Sequence, residues 1–181
     1  MLKIIMIELF RKYKPFLLFL GKFFVSYGVL VLVYRLFFIQ SGSTIDFFTE
    51  NVSLSTEQIA QNLGMDYVVK KDVSQYQVFY NEKYIARIIE GCNAVSVIIL
   101  FVAFVIAFSG KWKTTFLFAL VGSLLIYFFN ILRIVFLIHL IDVYPAQEHF
   151  WHGVLFPLVI YGFVFLLWVY WVNKYSHYAS H

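Results

Sequence analysis

Four stretches of this chain, residues 16–39, 88–108, 115–141 and 149–172, are mostly apolar, and each reaches the roughly 20 residues a helix needs to cross a bilayer. A segment of that kind has few options. Hydrocarbon offers no partner for a bare N–H or C=O, so only a helix or a closed barrel satisfies them all. The composition agrees: 62% of the 181 residues are hydrophobic and 13% are charged, whereas a soluble domain is about half apolar and about a quarter charged. The expected fold is an all-α integral membrane protein with about four transmembrane helices in one membrane domain.

The segments between the apolar runs complete the organisation. Residues 1–15 form a basic lead that ends at Pro15, residues 16–39 the first helix, and residues 40–87 a polar extracytoplasmic cap. Residues 88–172 hold the remaining three helices, and residues 173–181 form a tail. Within the cap, Ser55-Thr56-Glu57-Gln58 followed by Ile59, Ala60 and Leu63 predicts a short helix that Gly64 ends. Tyr67-Val68-Val69 and Tyr76-Gln77-Val78-Phe79-Tyr80 predict short strands, with a turn at Asn81-Glu82-Lys83 before Tyr84-Ile85-Ala86. So small a unit has little core of its own and should rest on the membrane helices. The links at residues 109–113 and 141–147 are short, which makes helices two, three and four antiparallel neighbours. The first apolar run exceeds the usual 7–15 or so residues of a signal-peptide core. It is read as a retained anchor, although Gln40-Ser41-Gly42-Ser43 mimics a cleavage region.

Charge sets the expected orientation. Lys3, Arg11, Lys12 and Lys14 precede the first helix, Lys111 and Lys113 lie between the second and third, and Lys174 follows the fourth. Short cytoplasmic loops keep lysine and arginine, so both termini should be cytoplasmic. The loop at 142–148 carries two acids and no base, as an outside loop can; Lys70, Lys71, Lys83 and Arg87 in the long outside segment run against the pattern. The net charge of +4 does not indicate nucleic acid, because no basic stripe or recognition fold accompanies it. The single cysteine forms no intramolecular disulfide.

Polar residues inside the apolar runs point to function. An ionisable side chain in a span is costly and usually faces the protein interior or a water-filled cavity. Arg133 falls about eight residues from the outer end of the third span, roughly 12 Å along the axis, and Asn130 precedes it by three on the same face. A structural anchor would also explain the pair. His149 and His152, three apart beside Phe150 and Trp151, open the fourth span at the outer side, where polar and aromatic residues also serve as interfacial anchors. His139 falls on another face from Arg133, and His177 and His181 belong to the tail. Cys92, in Ile89-Glu90-Gly91-Cys92-Asn93, begins the second span, where unpaired amides and the helix dipole favour an anion. Gly91 would let another backbone approach. A buried cysteine is more often a small hydrophobe, but here Cys92, Arg133 and His149 come from three helices and converge on one side of the membrane. A thiolate, a proton-shuttling imidazole and a cationic donor suit nucleophilic acyl transfer. No Gly-x-Ser-x-Gly, P-loop or His-Glu-x-x-His motif competes.

Glu90-Gly91-Cys92-Asn93, Asn130-Ile131-Leu132-Arg133 and Glu148-His149-Phe150-Trp151-His152-Gly153 together resemble the exosortase/archaeosortase family, whose pattern is a cysteine, an Asn-x-x-Arg and a His-x-x-x-Gly on successive helices. The resemblance covers about residues 85–170, and the short length is most like the exosortase F subgroup. It implies a cysteine protease-transpeptidase of a prokaryotic cytoplasmic membrane, with no cofactor. Its expected partners are membrane-anchored proteins bearing a C-terminal sorting signal, the lipid bilayer, and a glycan or lipid amine as acceptor. Carried over, Cys92 is the nucleophile, Arg133 stabilises the oxyanion or orients the substrate, and His149, four residues before Gly153, is the family histidine. His152, Asn130 and Glu90 are alternative or auxiliary residues. Where the family commonly has Ser-Gly or Ala-Gly after the cysteine, this chain has Asn93-Ala94.

Two other readings compete. A non-enzymatic scaffold or small transporter subunit would use Arg133 and His149 to line a polar cavity. A zinc site would take His149, His152 and Cys92, with Glu90 or Glu148 as a base; the loose His-x-x-His spacing sets it behind the metal-free reading.

Overall fold

The computed structural model describes residues 2–38, 45–108 and 110–176, with only the helical backbone described for residues 2–10. The cleavage-like Gln40-Ser41-Gly42-Ser43, His177 and His181 lie outside the described residues. The protein is helical, with a small sheet at one end.

Helix α1, Leu2–Phe38, runs through Pro15, so the basic lead is the helix's first part and does not stop at the proline. Beyond it lies the cap. Its helix α2 is Phe47–Asn62, eight residues longer at its start than the Ser55 signal indicates. Asp46 explains the difference, because its carboxylate accepts the N–H groups of Phe48 at 2.9 Å and Thr49 at 3.1 Å and so caps the first turn. Three strands follow, β1 Tyr67–Lys71, β2 Tyr76–Tyr80 and β3 Lys83–Ile88. They form an antiparallel sheet in the order β1-β2-β3, with an irregularity between Val78 and Phe79 where β2 meets β3.

The second apolar run departs from expectation. Ile88 and Ile89 are extended, residues Glu90–Cys92 form a 3-10 turn, and helix α3 is only Val95–Ala107. Thirteen residues rise about 20 Å, short of the roughly 30 Å of a hydrocarbon core. Three longer stretches, Arg11–Phe38, Trp112–Val143 and Pro145–Lys174, are long and apolar enough to span a membrane. Hydropathy alone merged β3's apolar end with α3.

Helix α4, Trp112–Val143, has the opposite excess. Its 32 residues extend about 48 Å, some 18 Å more than the hydrocarbon thickness. The surplus is clothed by the cap: Ile131, Ile134, Val135 and Ile138 share one core with Val52, Ala60, Tyr67, Tyr76, Val78 and Ile88. Arg133 lies on this cap-covered part of α4, between Ile131 and Ile134 of the shared core, so its surroundings are protein, as expected for an ionisable residue in an apolar run. The last helical stretch comprises a 3-10 turn at Pro145–Gln147, one α-turn at Glu148–Phe150, a π-helical turn at Trp151–Leu155 and helix α5, Phe156–Lys174.

Towards the other end, aromatic contacts hold the helices. Phe104 of α3 stacks on Trp168 of α5 at 4.3 Å, and Phe108 meets Phe19 of α1 at 4.6 Å. The fully buried Phe101 lies against Gly122 of α4 so closely that a Cβ there would collide with its ring. α3 is therefore held against α1, α4 and α5, which fixes the level of the turn that precedes it.

Candidate active site

The turn ahead of α3 is built by backbone bonds and two asparagines. The Cys92 N–H donates to the Ile89 carbonyl at 2.8 Å, closing the 3-10 turn. Ala94 then reverses the chain at φ +60° before α3 begins. This is the left-handed region that favours glycine, and here an alanine adopts it.

Asn93 is buried, and both ends of its amide are used. Its Nδ2 donates to the Asp46 carboxylate at 3.2 and 3.3 Å, to Thr49 Oγ1 at 3.2 Å and to the Tyr34 hydroxyl at 3.4 Å. Its Oδ1 accepts the Val95 N–H at 3.0 Å. Asp46 also accepts the Thr49 hydroxyl. A buried polar group is tolerated when its bonds are satisfied, and this cluster joins α1, the start of α2 and the start of α3. No local sequence pattern announces it, because Asp46 and Asn93 are 47 positions apart.

On the other side, Asn130, only 1% exposed, donates from Nδ2 to the Cys92 carbonyl at 2.7 Å. One turn later on α4, Arg133 is half-buried, and its Nε is buried with no hydrogen-bond partner among the described residues. Cys92 and Tyr161 are the ionisable groups that act on it electrostatically. A buried guanidinium N–H without a partner is unfavourable in a resting protein.

Cys92 and Arg133 line one recess of about 370 Å³ together with Glu148 and His152. One wall is strand β3 and the other is the face of α4 carrying Ile134, Leu137, Ile138 and Ile141. Glu148 and His152 are four residues apart and so share a helix face, with His152 inside the π-helical turn, a local widening that recurs at functional sites.

Among the residues singled out by sequence, Asn130 holds the site from behind. His149 and Glu90 are solvent-exposed and are not among the lining residues. His149 is one position round from Glu148, and that rotation carries it off the lining face. Gly91 has open space where a Cβ would be, so it admits no close backbone. His139 Nδ1 meets the Tyr67 hydroxyl at 3.4 Å in the cap–α4 contact. Among the described residues no three His, Cys, Asp or Glu side chains are grouped to hold a metal ion, so the zinc reading lacks a ligand set. Sequence reasoning left Asp46, Thr49 and Tyr34 unnoticed and treated Glu148 only as a base for zinc.

These features define a helical membrane protein with a capped end and a recess holding a thiol, a guanidinium, an imidazole and a carboxylate. A model of the transmembrane exosortase family matches residues 16–171, most of the chain, and the protein belongs to that family. No curated protein and no solved structure is significantly similar to it.

Proposed function

We propose that this protein is a membrane-embedded cysteine protease and transpeptidase of the short exosortase F type, which cleaves C-terminal sorting signals of exported proteins. The observation that carries this reading is the shared recess of Cys92, Arg133 and His152, floored by a turn that Asn130 holds at 2.7 Å. The thiol loses its proton to His152, and the thiolate attacks the scissile carbonyl carbon. Arg133 donates to the oxyanion that forms, in a site walled by β3 and α4 where such a bond counts for more than in water. As the C–N bond breaks, His152 returns the proton to the leaving amine, and the substrate remains as a thioester on Cys92. An amine of a glycan or lipid, or water, then attacks the thioester; His152 takes its proton, the C–S bond breaks and the thiol is regenerated. His152 is the proton carrier in this scheme because it lines the recess, while His149 is the residue at the family spacing.

Support for the cap facing outward comes from Lys111 and Lys113 at the opposite end of α4. The proposed location is the cytoplasmic membrane of a prokaryote, with both termini cytoplasmic. The test is processing of a co-expressed protein that ends in a short motif, an apolar span and a basic tail. Cys92→Ala should leave the chain in the membrane while the uncleaved precursor accumulates. Normal processing in that strain would return the protein to the scaffold or transporter class, for which Cys92→Ala is silent and Arg133→Ala abolishes assembly or transport.

A further inference from the structure

The recess takes its first wall from residues 84–89 without a gap. Side chains of a strand point alternately to its two faces, so a cavity lying over one face would touch every second residue. Six consecutive lining residues mean that the cavity runs along the strand's edge. β3 is the outermost strand, paired on one side with β2, and its other edge has no backbone partner among the described residues. That edge leads through the extended Ile89 to the Cys92 turn. Across the cleft the wall is formed by Ile134, Leu137, Ile138 and Ile141 of α4, all buried and packed into the cap's core or against Phe156.

We propose that the segment of substrate on the acyl side of the cut binds in extended form as a fourth strand on the free edge of β3, which delivers the next carbonyl to Cys92. This deepens the peptidase reading above and rests on it. Strand addition takes its affinity from main-chain hydrogen bonds and its selectivity from pockets for alternate side chains. The direction of the chain follows from the substrate's own layout. Residues after the cut lead into an apolar span and hence into the bilayer, so residues before it run the other way, into the cap where β3 lies.

Two reagents with the same warhead test this on the purified full-length protein: acetyl-tetra-alanine chloromethyl ketone and acetyl-alanine chloromethyl ketone. Each alkylates Cys92 by displacing chloride, and the adduct is read by mass. If main-chain bonding supplies the affinity, the longer reagent reacts about tenfold or more faster, as one or two extra hydrogen bonds would give. N-methylating its peptide nitrogens one at a time removes the gain at alternate positions and spares those between, the two-residue period of a ladder. Equal rates for the two reagents, or a loss that does not alternate, would overturn strand addition. Failure of the parent reading looks different: processing that persists in Cys92→Ala removes the peptidase, whereas Cys92-dependent processing without the alternation removes only the added strand.

Discussion

Asn130 on α4 donates its side-chain amide to the carbonyl of Cys92 at 2.7 Å, so the first residue of the Asn-x-x-Arg motif grips the backbone of the proposed nucleophile while the last enters the recess beside it. The spacing has a simple origin. Residues three apart lie on one helix face, so a single face of α4 holds the turn and presents the guanidinium. It also explains why Asn130 is buried and Arg133 only half so.

Asn130→Ala leaves a carbonyl unpartnered in a protein interior, a loss of about 1–3 kcal/mol. The expected result is a lower unfolding temperature in detergent and a fall in precursor processing of about tenfold or more, with the protein still in the membrane. Asn130→Asp should be worse, since it turns an acceptor toward an acceptor. Wild-type stability and processing in both variants would mean that the bond does nothing for the turn.

Ala94 provides a second test of the same turn. At φ +60° an alanine is strained by about 1 kcal/mol or slightly more, and glycine is not. Ala94→Gly relieves that strain but frees the unfolded chain and removes a buried methyl, so it should stay within about 1 kcal/mol of the parent. Ala94→Val adds a β-branch where such residues are genuine outliers, and it should destabilise the protein and slow alkylation of Cys92. Equal tolerance of glycine and valine would mean that the turn does not adopt this conformation.

Much of the design was legible in the sequence, and its gaps have physical causes. The apolar runs announced the helices, and the aromatic, β-branched segments of the cap announced the strands near their observed positions, as Tyr76–Tyr80 illustrates. What misled was hydropathy at Ile88 and Ile89: an apolar strand end and an apolar helix start look alike over a few residues. The ordered Cys92, Arg133 and histidine were readable because thiols and charges are rare in such a chain. Which of His149 and His152 lines the recess was not, because it depends on the rotation of one widened turn. Nor was the Asp46–Asn93 contact, which joins two ordinary polar residues across 47 positions.

The cap's attachment to α4 should show itself at alkaline pH. Tyr67 starts β1, and its hydroxyl lies 3.4 Å from both His139 Nδ1 and an Asp142 carboxylate oxygen. Burial, reinforced by the Asp142 charge, pushes its phenol up to about 12. The folded value is thus above the unfolded one, near 10. The contribution is complete below about pH 10 and disappears as the pH rises through 12. Tyr76 is also raised, by burial first and then by Glu50, so the readout is a difference between proteins. Between pH 10 and 12 the wild type should lose unfolding temperature more steeply than Tyr67→Phe, and below pH 9 the two should run parallel. Identical slopes throughout would separate Tyr67 from the stability of the cap.

The two histidines give the most direct check on the chemistry. Both are solvent-exposed, but His152 lines the recess with Cys92 and Arg133 and His149 does not. Removing a general acid-base group lowers turnover by about 10²–10⁴-fold. His152→Ala should therefore cause the precursor to accumulate nearly as in Cys92→Ala, while His149→Ala stays within a few-fold of the parent. Glu148 shares the lining face with His152 and places a carboxylate in the same recess. The opposite pattern, with His149→Ala inactive and His152→Ala processing normally, would mean that the helical turn rotates when substrate binds and that the family spacing outweighs the resting geometry. Activity in both single variants would leave Cys92 without a proton carrier from this stretch, and the acyl-transfer scheme would lose its acid-base step.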